Sequence, residues 1–318
     1  MSVHVLPFAL WHEAQSLKTP AVAPLAKTLP GLSRWLGRAR ADTPTRTGDA
    51  LQPSLSLPHE HAQAQALGWP VVDGLLPWAA QAACDAGWAV PGDGSAWGIV
   101  SLCHWQVSHG LATLTDPDAL ALSEVEDQTL FDAMQPFFAE DGLRLHRWRV
   151  GHWLVSAPHL AQLPTAALAR VIGEDVDGWL VGGDAPDATA RVWRRLQNEM
   201  QMLLYTHAVN AQRRVPVNSF WLHGTGAMPT AAASCAAPPL VAAASLEALR
   251  RAWLARDLPA WLTAWQALDA EIDWRGVEQL QLCGAHQARL YRAGARPWWQ
   301  RLWPRALDAS RVLAEDAP

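Results

Sequence analysis

The chain is short of several common residue types. It has 2 Tyr and 5 Phe against 19 Trp, and Lys18 and Lys27 are the only lysines among 25 basic residues. Both biases fit a coding sequence rich in G and C, which favours Trp and Arg codons. An aromatic ligand cage would instead need several Trp to converge. Cysteine is scarce: Cys84, Cys103, Cys235 and Cys283 are scattered without a CxxC pair, so reduced, structural thiols are expected. No stretch offers about 18 uninterrupted apolar residues, so no membrane span is expected. The opening residues carry no basic leader before their apolar run and do not read as a signal peptide; the expected compartment is the cytoplasm. No GxSxG elbow, GxxxxGK[ST] loop or GxGxxG turn occurs, which removes the usual serine-hydrolase and nucleotide-loop folds. The formal net charge of −5 argues against a generic nucleic-acid binder, whose affinity comes from phosphate neutralisation.

What is present suits a globular protein. Half of the 318 residues are hydrophobic and 17% are charged, enough for one large or two modest domains. A first strand is expected at Val3–Leu10 and interrupted helical periodicity over 21–38. An exposed loop over 39–56 and short helices at 60–68 and 75–86 follow. Ala96–Val107 and Leu111–Leu114 read as strands. Asp116–Asp118 offers an N-cap for a helix over 122–139, with Leu122, Val125, Leu130, Met134 and Phe137 on one side. Leu143–Arg149 and His152–Ser156 pair about Gly151, 227–245 reads as an Ala/Pro linker, and 246–272 supplies one or two helices. Strands at Glu278–Leu282 and Ala288–Tyr291 close the chain. Strands alternating with helices favour an α/β architecture. The stretch 196–226 is the most informative. Leu196, Met200, Leu203 and Leu204 define an apolar helix face, and Val217–Leu222 reads as a strand feeding a glycine loop at Gly224 and Gly226.

Four segments in order carry a resemblance: Leu17–Pro20 through Thr28–Leu32; Pro58–Ala62 with Leu67–Gly68; Ser101–Leu114; and His207–Asn210, Arg213 and Val217–Gly226. They are similar to the archaeal-type cofactor-independent phosphoglycerate mutases of the alkaline phosphatase superfamily. The resemblance implies a reduced alkaline-phosphatase-like α/β core at 1–94 and 216–318, with a small inserted mutase-like α/β domain at 95–215. Pro58-His59-Glu60, Cys103-His104-Trp105-Gln106-Val107, Glu140-Asp141-Gly142 and Arg195–Leu203 resemble more closely a proteobacterial family of regulatory proteins, RpfE type. Against the mutases the departures are specific. Their metal-binding Asp-Gly at the end of strand one is replaced by Pro7-Phe8-Ala9. Their serine nucleophile falls within Pro58-His59-Glu60, and no histidine stands between His223 and His286.

Two readings follow. The first is a non-catalytic or regulatory protein that binds a small phosphorylated or carboxylated metabolite, or a protein partner, in a retained mutase-like cleft. It needs no cofactor. Its binding residues would be Asn210, Arg213, Asn218, Gly224 and Gly226, because an arginine fork grips carboxylate or phosphate; the same Asn and Arg types also close turns and cap helices. The second is a divalent-metal-dependent phosphoryl-transfer enzyme with a rebuilt site. Its candidate catalytic residues are His59, Glu60 and His104, with His59, His61 and His286 as metal ligands. Glu60 read alone is an acidic residue in the first turn of a helix, and His104 beside Trp105 is an ordinary strand residue.

Overall fold

A computed structural model describes residues 3–12, 17, 25–48, 53–230, 242–294 and 312–315. In chain order the elements are β1 (Val3–Leu6), α1 (Leu25–Thr28), α2 (Pro30–Leu36), β2 (Ala39–Ala41), β3 (Thr45–Arg46), α3 (Pro58–Ala66), α4 (Trp78–Asp85), β4 (Ala96–Ser108), β5 (Leu111–Thr115) and α5 (Glu124–Glu140). They continue with β6 (Arg144–Arg149), β7 (His152–Ser156), α6 (Leu168–Val171), α7 (Ala188–Tyr205), β8 (Ser219–Ala227), α8 (Ala243–Leu254), α9 (Leu258–Glu271), β9 (Gln279–Cys283) and β10 (Gln287–Ala293). The architecture is mixed α/β, as the alternation predicts. No helix among the described residues is long and apolar enough to cross a membrane.

Two compact units emerge: a discontinuous one, Met1–Leu67 with Ala233–Pro318, and a continuous one, Gly68–Ala232. The resemblance sets its insert at 95–215. The contacts that make the second unit compact reach further on both sides, because α4 and β8 both pack on β4.

In the first unit the sheet runs β1-β9-β10-β2, with β3 also on β10. β1 and β9 are parallel, with Val3 opposite Gln279, while β10 is antiparallel to its neighbours. The expected loop over 39–56 therefore contributes two short strands; residues 49–52 of it lie outside the described residues. β1 stops at Leu6 rather than Leu10, because Phe8 turns the backbone to φ 57. The Asp269 carboxylate caps α2, accepting from the amides of Gly31 (2.8 Å) and Leu32 (2.5 Å).

In the second unit β4 is the hub. Its first half lies between β7 and β8, and its second half pairs with β5. Helices α5 and α7 cover one face, where Leu130, Met134, Phe138, Trp193, Leu196 and Met200 meet Val100, Leu102, Trp153, Phe220 and Leu222. Each such fully buried side chain contributes about 1.5–3 kcal/mol of burial free energy.

Two expectations are corrected here. Asp116 caps a 3-10 turn, Pro117–Leu120, and Ser123 caps α5 in a capping box with Glu126. The expected α5 face holds at Leu130 and Met134, with Leu122 and Phe137 packed against the same core, but fails at Val125. Val125 is 76% exposed, and the buried position is Asp127, whose carboxylate accepts from the Gly151 amide, the Trp153 indole and Arg147. A carboxylate with three donors can be buried where an apolar periodicity count would not place it. The linker expected over 227–245 overlaps 231–241, which lie outside the described residues.

Candidate functional site

In the first unit the residues after β1 meet the start of α3. Phe8 and His59 pack with tilted rings, centres 4.9 Å apart, and Trp253 of α8 lies 5.1 Å from Phe8, also tilted. Trp253 also stacks on His12 at 3.9 Å. Indole N–H groups close the backbone of this segment: Trp261 donates to the Phe8 carbonyl at 2.9 Å and Trp253 to that of Leu10 at 2.8 Å. Several tryptophans do converge, and around the chain's own strand end. Buried indole N–H groups need such acceptors.

Glu60 reaches back to the Leu57 amide at 2.7 Å, completing the helix start that its position implies. His61 follows on α3. His286 sits in the turn between β9 and β10, where its amide donates to Glu315 at 2.6 Å and its carbonyl accepts from Thr47. Among the described residues no three His, Cys, Asp or Glu side chains gather to hold a metal ion.

In the second unit the best-matching motif folds onto one short segment, residues 215–218. Arg213 donates to the Val215 carbonyl at 3.3 Å, and His104 Nδ1 hydrogen-bonds the Pro216 carbonyl at 2.9 Å. Asn210 accepts from the Val217 amide at 2.8 Å, and its own amide donates to the Val217 and Leu204 carbonyls. The Asn218 side chain accepts from the Trp105 amide (2.7 Å) and donates to the Trp105 carbonyl (2.9 Å), completing the edge of β4 as a neighbouring strand would. The Arg213 guanidinium also binds Glu126 at 2.5 Å and the Leu120 carbonyl. Val215, Pro216 and Val217 are thus held by Arg213, His104 and Asn210, and Asn218 itself ties the segment to β4.

Gly224 and Gly226 lie inside β8 rather than in a loop after it. Gly224 has φ 64, and a Cβ there would stand 3.3 Å from that of Trp78; Gly226 has φ 147 and would meet Pro77 at 3.1 Å. The two glycines let β8 lie against the start of α4.

The face of β4 opposite the core holds a cluster that no sequence spacing announces. Ser101 Oγ lies 2.7 Å from His152 Nδ1 and 2.8 Å from His223 Nε2. His152 is directly opposite Ser101 on β7, and His223 pairs with Ile99, two residues away, on β8. Burial, then the neighbouring His152, pushes the His223 imidazole from its ordinary 6.5 down to about 3. It is therefore neutral at physiological pH, and the hydroxyl donates to one ring while accepting from the other. Ser101 is fully buried while His152 and His223 keep part of their surface exposed, so the hydroxyl is not an open nucleophile. Cys103, two residues on, is buried with its thiol pushed up by that burial.

Comparisons with known proteins add the following. No protein-family model matches the chain, and no curated protein matches it. Among solved structures the chain is similar to the cofactor-independent phosphoglycerate mutase from Thermoplasma acidophilum DSM 1728. Identity is 14% and the TM-score 0.35, covering 93% of this chain and 91% of that one. It is also similar to the PH0037 protein from Pyrococcus horikoshii, at 12% identity and TM-score 0.40, covering 92% and 87%.

Proposed function

We propose that this chain is a non-catalytic, regulatory protein built on a mutase-like α/β scaffold, and that it acts by binding a small phosphorylated or carboxylated metabolite or a protein partner. The observation that carries this reading is the filling of the strand-one end. The resemblance puts a metal-binding Asp-Gly there; this chain puts Pro7-Phe8, with Phe8 at the left-handed φ that glycine adopts without strain and its ring on His59. A two-metal phosphotransfer centre needs several carboxylate and imidazole ligands and an alkoxide nucleophile. The residues in those places do not fit one. Pro58 opens α3, Glu60 caps it, and the His59 ring packs in an aromatic cluster.

In the second unit Asn210, Arg213, Asn218 and His104 support the non-catalytic half of this reading, since their polar atoms are engaged within the fold around residues 215–218. Retention of that motif follows from the fold, with no need for a reaction. The test is direct. Purified protein supplied with Mn or Co should give no phosphoglycerate mutase turnover above a blank. Turnover that His59→Ala abolishes would overturn the proposal.

A further inference from the structure

Glu315 is a carboxylate buried to 97% of its surface, standing beyond the carboxyl ends of the parallel strands β1 and β9 (its relative exposure is 3%). Three consecutive backbone amides point at it: Ala285 donates to Oε2 at 2.8 Å, and His286 and Gln287 donate to Oε1 at 2.6 and 2.7 Å. Successive N–H groups turned to one concavity make an anion nest, and the short distances fit bonds to an ionised acceptor. Gly284 leaves the room: a Cβ there would come within 2.6 Å of Oε2 and 2.9 Å of the Leu10 Cβ.

The carboxylate arrives on a short segment, helical at Val312–Leu313 and bridged to Trp11 at Ala314. Trp11 donates its amide to the Leu313 carbonyl (2.7 Å), and the Glu315 amide donates to the Trp11 carbonyl (2.9 Å), so Ala314 bridges Trp11 in parallel. Arg289 holds the Val312 carbonyl at 3.1 Å. Val312, Leu313 and Ala314 are all buried. A helical turn at Val312–Leu313 leads into one parallel bridge at Ala314 and delivers a buried carboxylate to backbone amides, which is how carboxylates are captured in main-chain nests.

We infer that the Ala285–Gln287 nest is a carboxylate-binding site and that Val312–Glu315 is its ligand in cis. The site recognises a carboxylate, delivered either on an acidic segment or as a small free acid, and it exists whether or not the chain turns over a substrate. The probe is the full-length Glu315→Ala protein, which keeps the nest and removes its occupant. It should melt below the parent. Acetate, unlike sodium chloride at equal ionic strength, should restore most of the deficit saturably, by mass action on the folded state.

A blocked Val-Leu-Ala-Glu peptide forms the second arm. Rescue by peptide at lower concentration than acetate identifies an acidic segment as the competitor, and rescue by acetate alone identifies a small acid. Adding Gly284→Ala should abolish either rescue. If the single variant does not fold, it should fold when refolded in acetate or peptide. No rescue by either probe, no recovery on refolding, or a rescue that survives Gly284→Ala would overturn the inference.

Discussion

Burial, with His152 close by, makes His223 a proton-sensitive residue. Its folded-state pKa, about 3, lies below the ordinary 6.5, so between those values the unfolded chain binds more protons than the folded one. The stability it contributes is fully present above about pH 6.5 and is lost as the pH falls toward 3. His146 and His159 are also lowered by burial and act with the same sign. Urea midpoints measured against pH for the parent and for His223→Gln isolate the one residue. The parent's midpoint should drop relative to the variant's through this window, by up to one proton's slope. Parallel curves would remove His223 from the acid response.

At the scale of elements, Arg213 ties the residues before β8 to the first turn of α5 through Glu126 and to the preceding 3-10 turn through Leu120. Its side chain is 11% exposed. Removing Arg213 leaves a partly exposed Glu126, which still accepts from Ser123, and two carbonyls without that donor, a cost on the order of 1–3 kcal/mol. Arg213→Ala should lower the urea-unfolding free energy by that amount. Arg213→Lys should recover only part, because an ammonium cannot span the same acceptors as a fork. Equal stability of all three proteins would show that the clamp is idle.

The same elements show what the sequence discloses and what it hides. The strands on either side of Gly151, the apolar face of α7 and the inward Trp253, Trp261, Trp265 and Leu268 follow from periodicity, since burial on one face imposes the period. The role of Arg213 does not, because its partners Leu120 and Glu126 lie about ninety residues away. Nor does Ser101, whose two histidines come from separate strands in a register that only pairing fixes. Gly224 and Gly226 read as a loop because glycine signals a turn more often than a close approach, and α4, which they make room for, is remote in sequence.

For the whole molecule, the two units differ in how they close. Residues 68–232 form a continuous stretch with its own sheet and core, so the fragment expressed alone should fold and melt cooperatively, with Trp153 and Trp193 buried. A fragment lacking a cooperative transition or binding a hydrophobic dye would contradict its independence. The first unit closes only when β9 pairs with β1, joining Val3 to Gln279. During synthesis at about 5–20 residues per second, β1 waits on the order of tens of seconds for that partner. Late in that interval the second unit, ending at Ala232, is already complete, while β1 still has no parallel neighbour. The chain should therefore be a client of ribosome-associated chaperones, held at β1 until β9 has emerged.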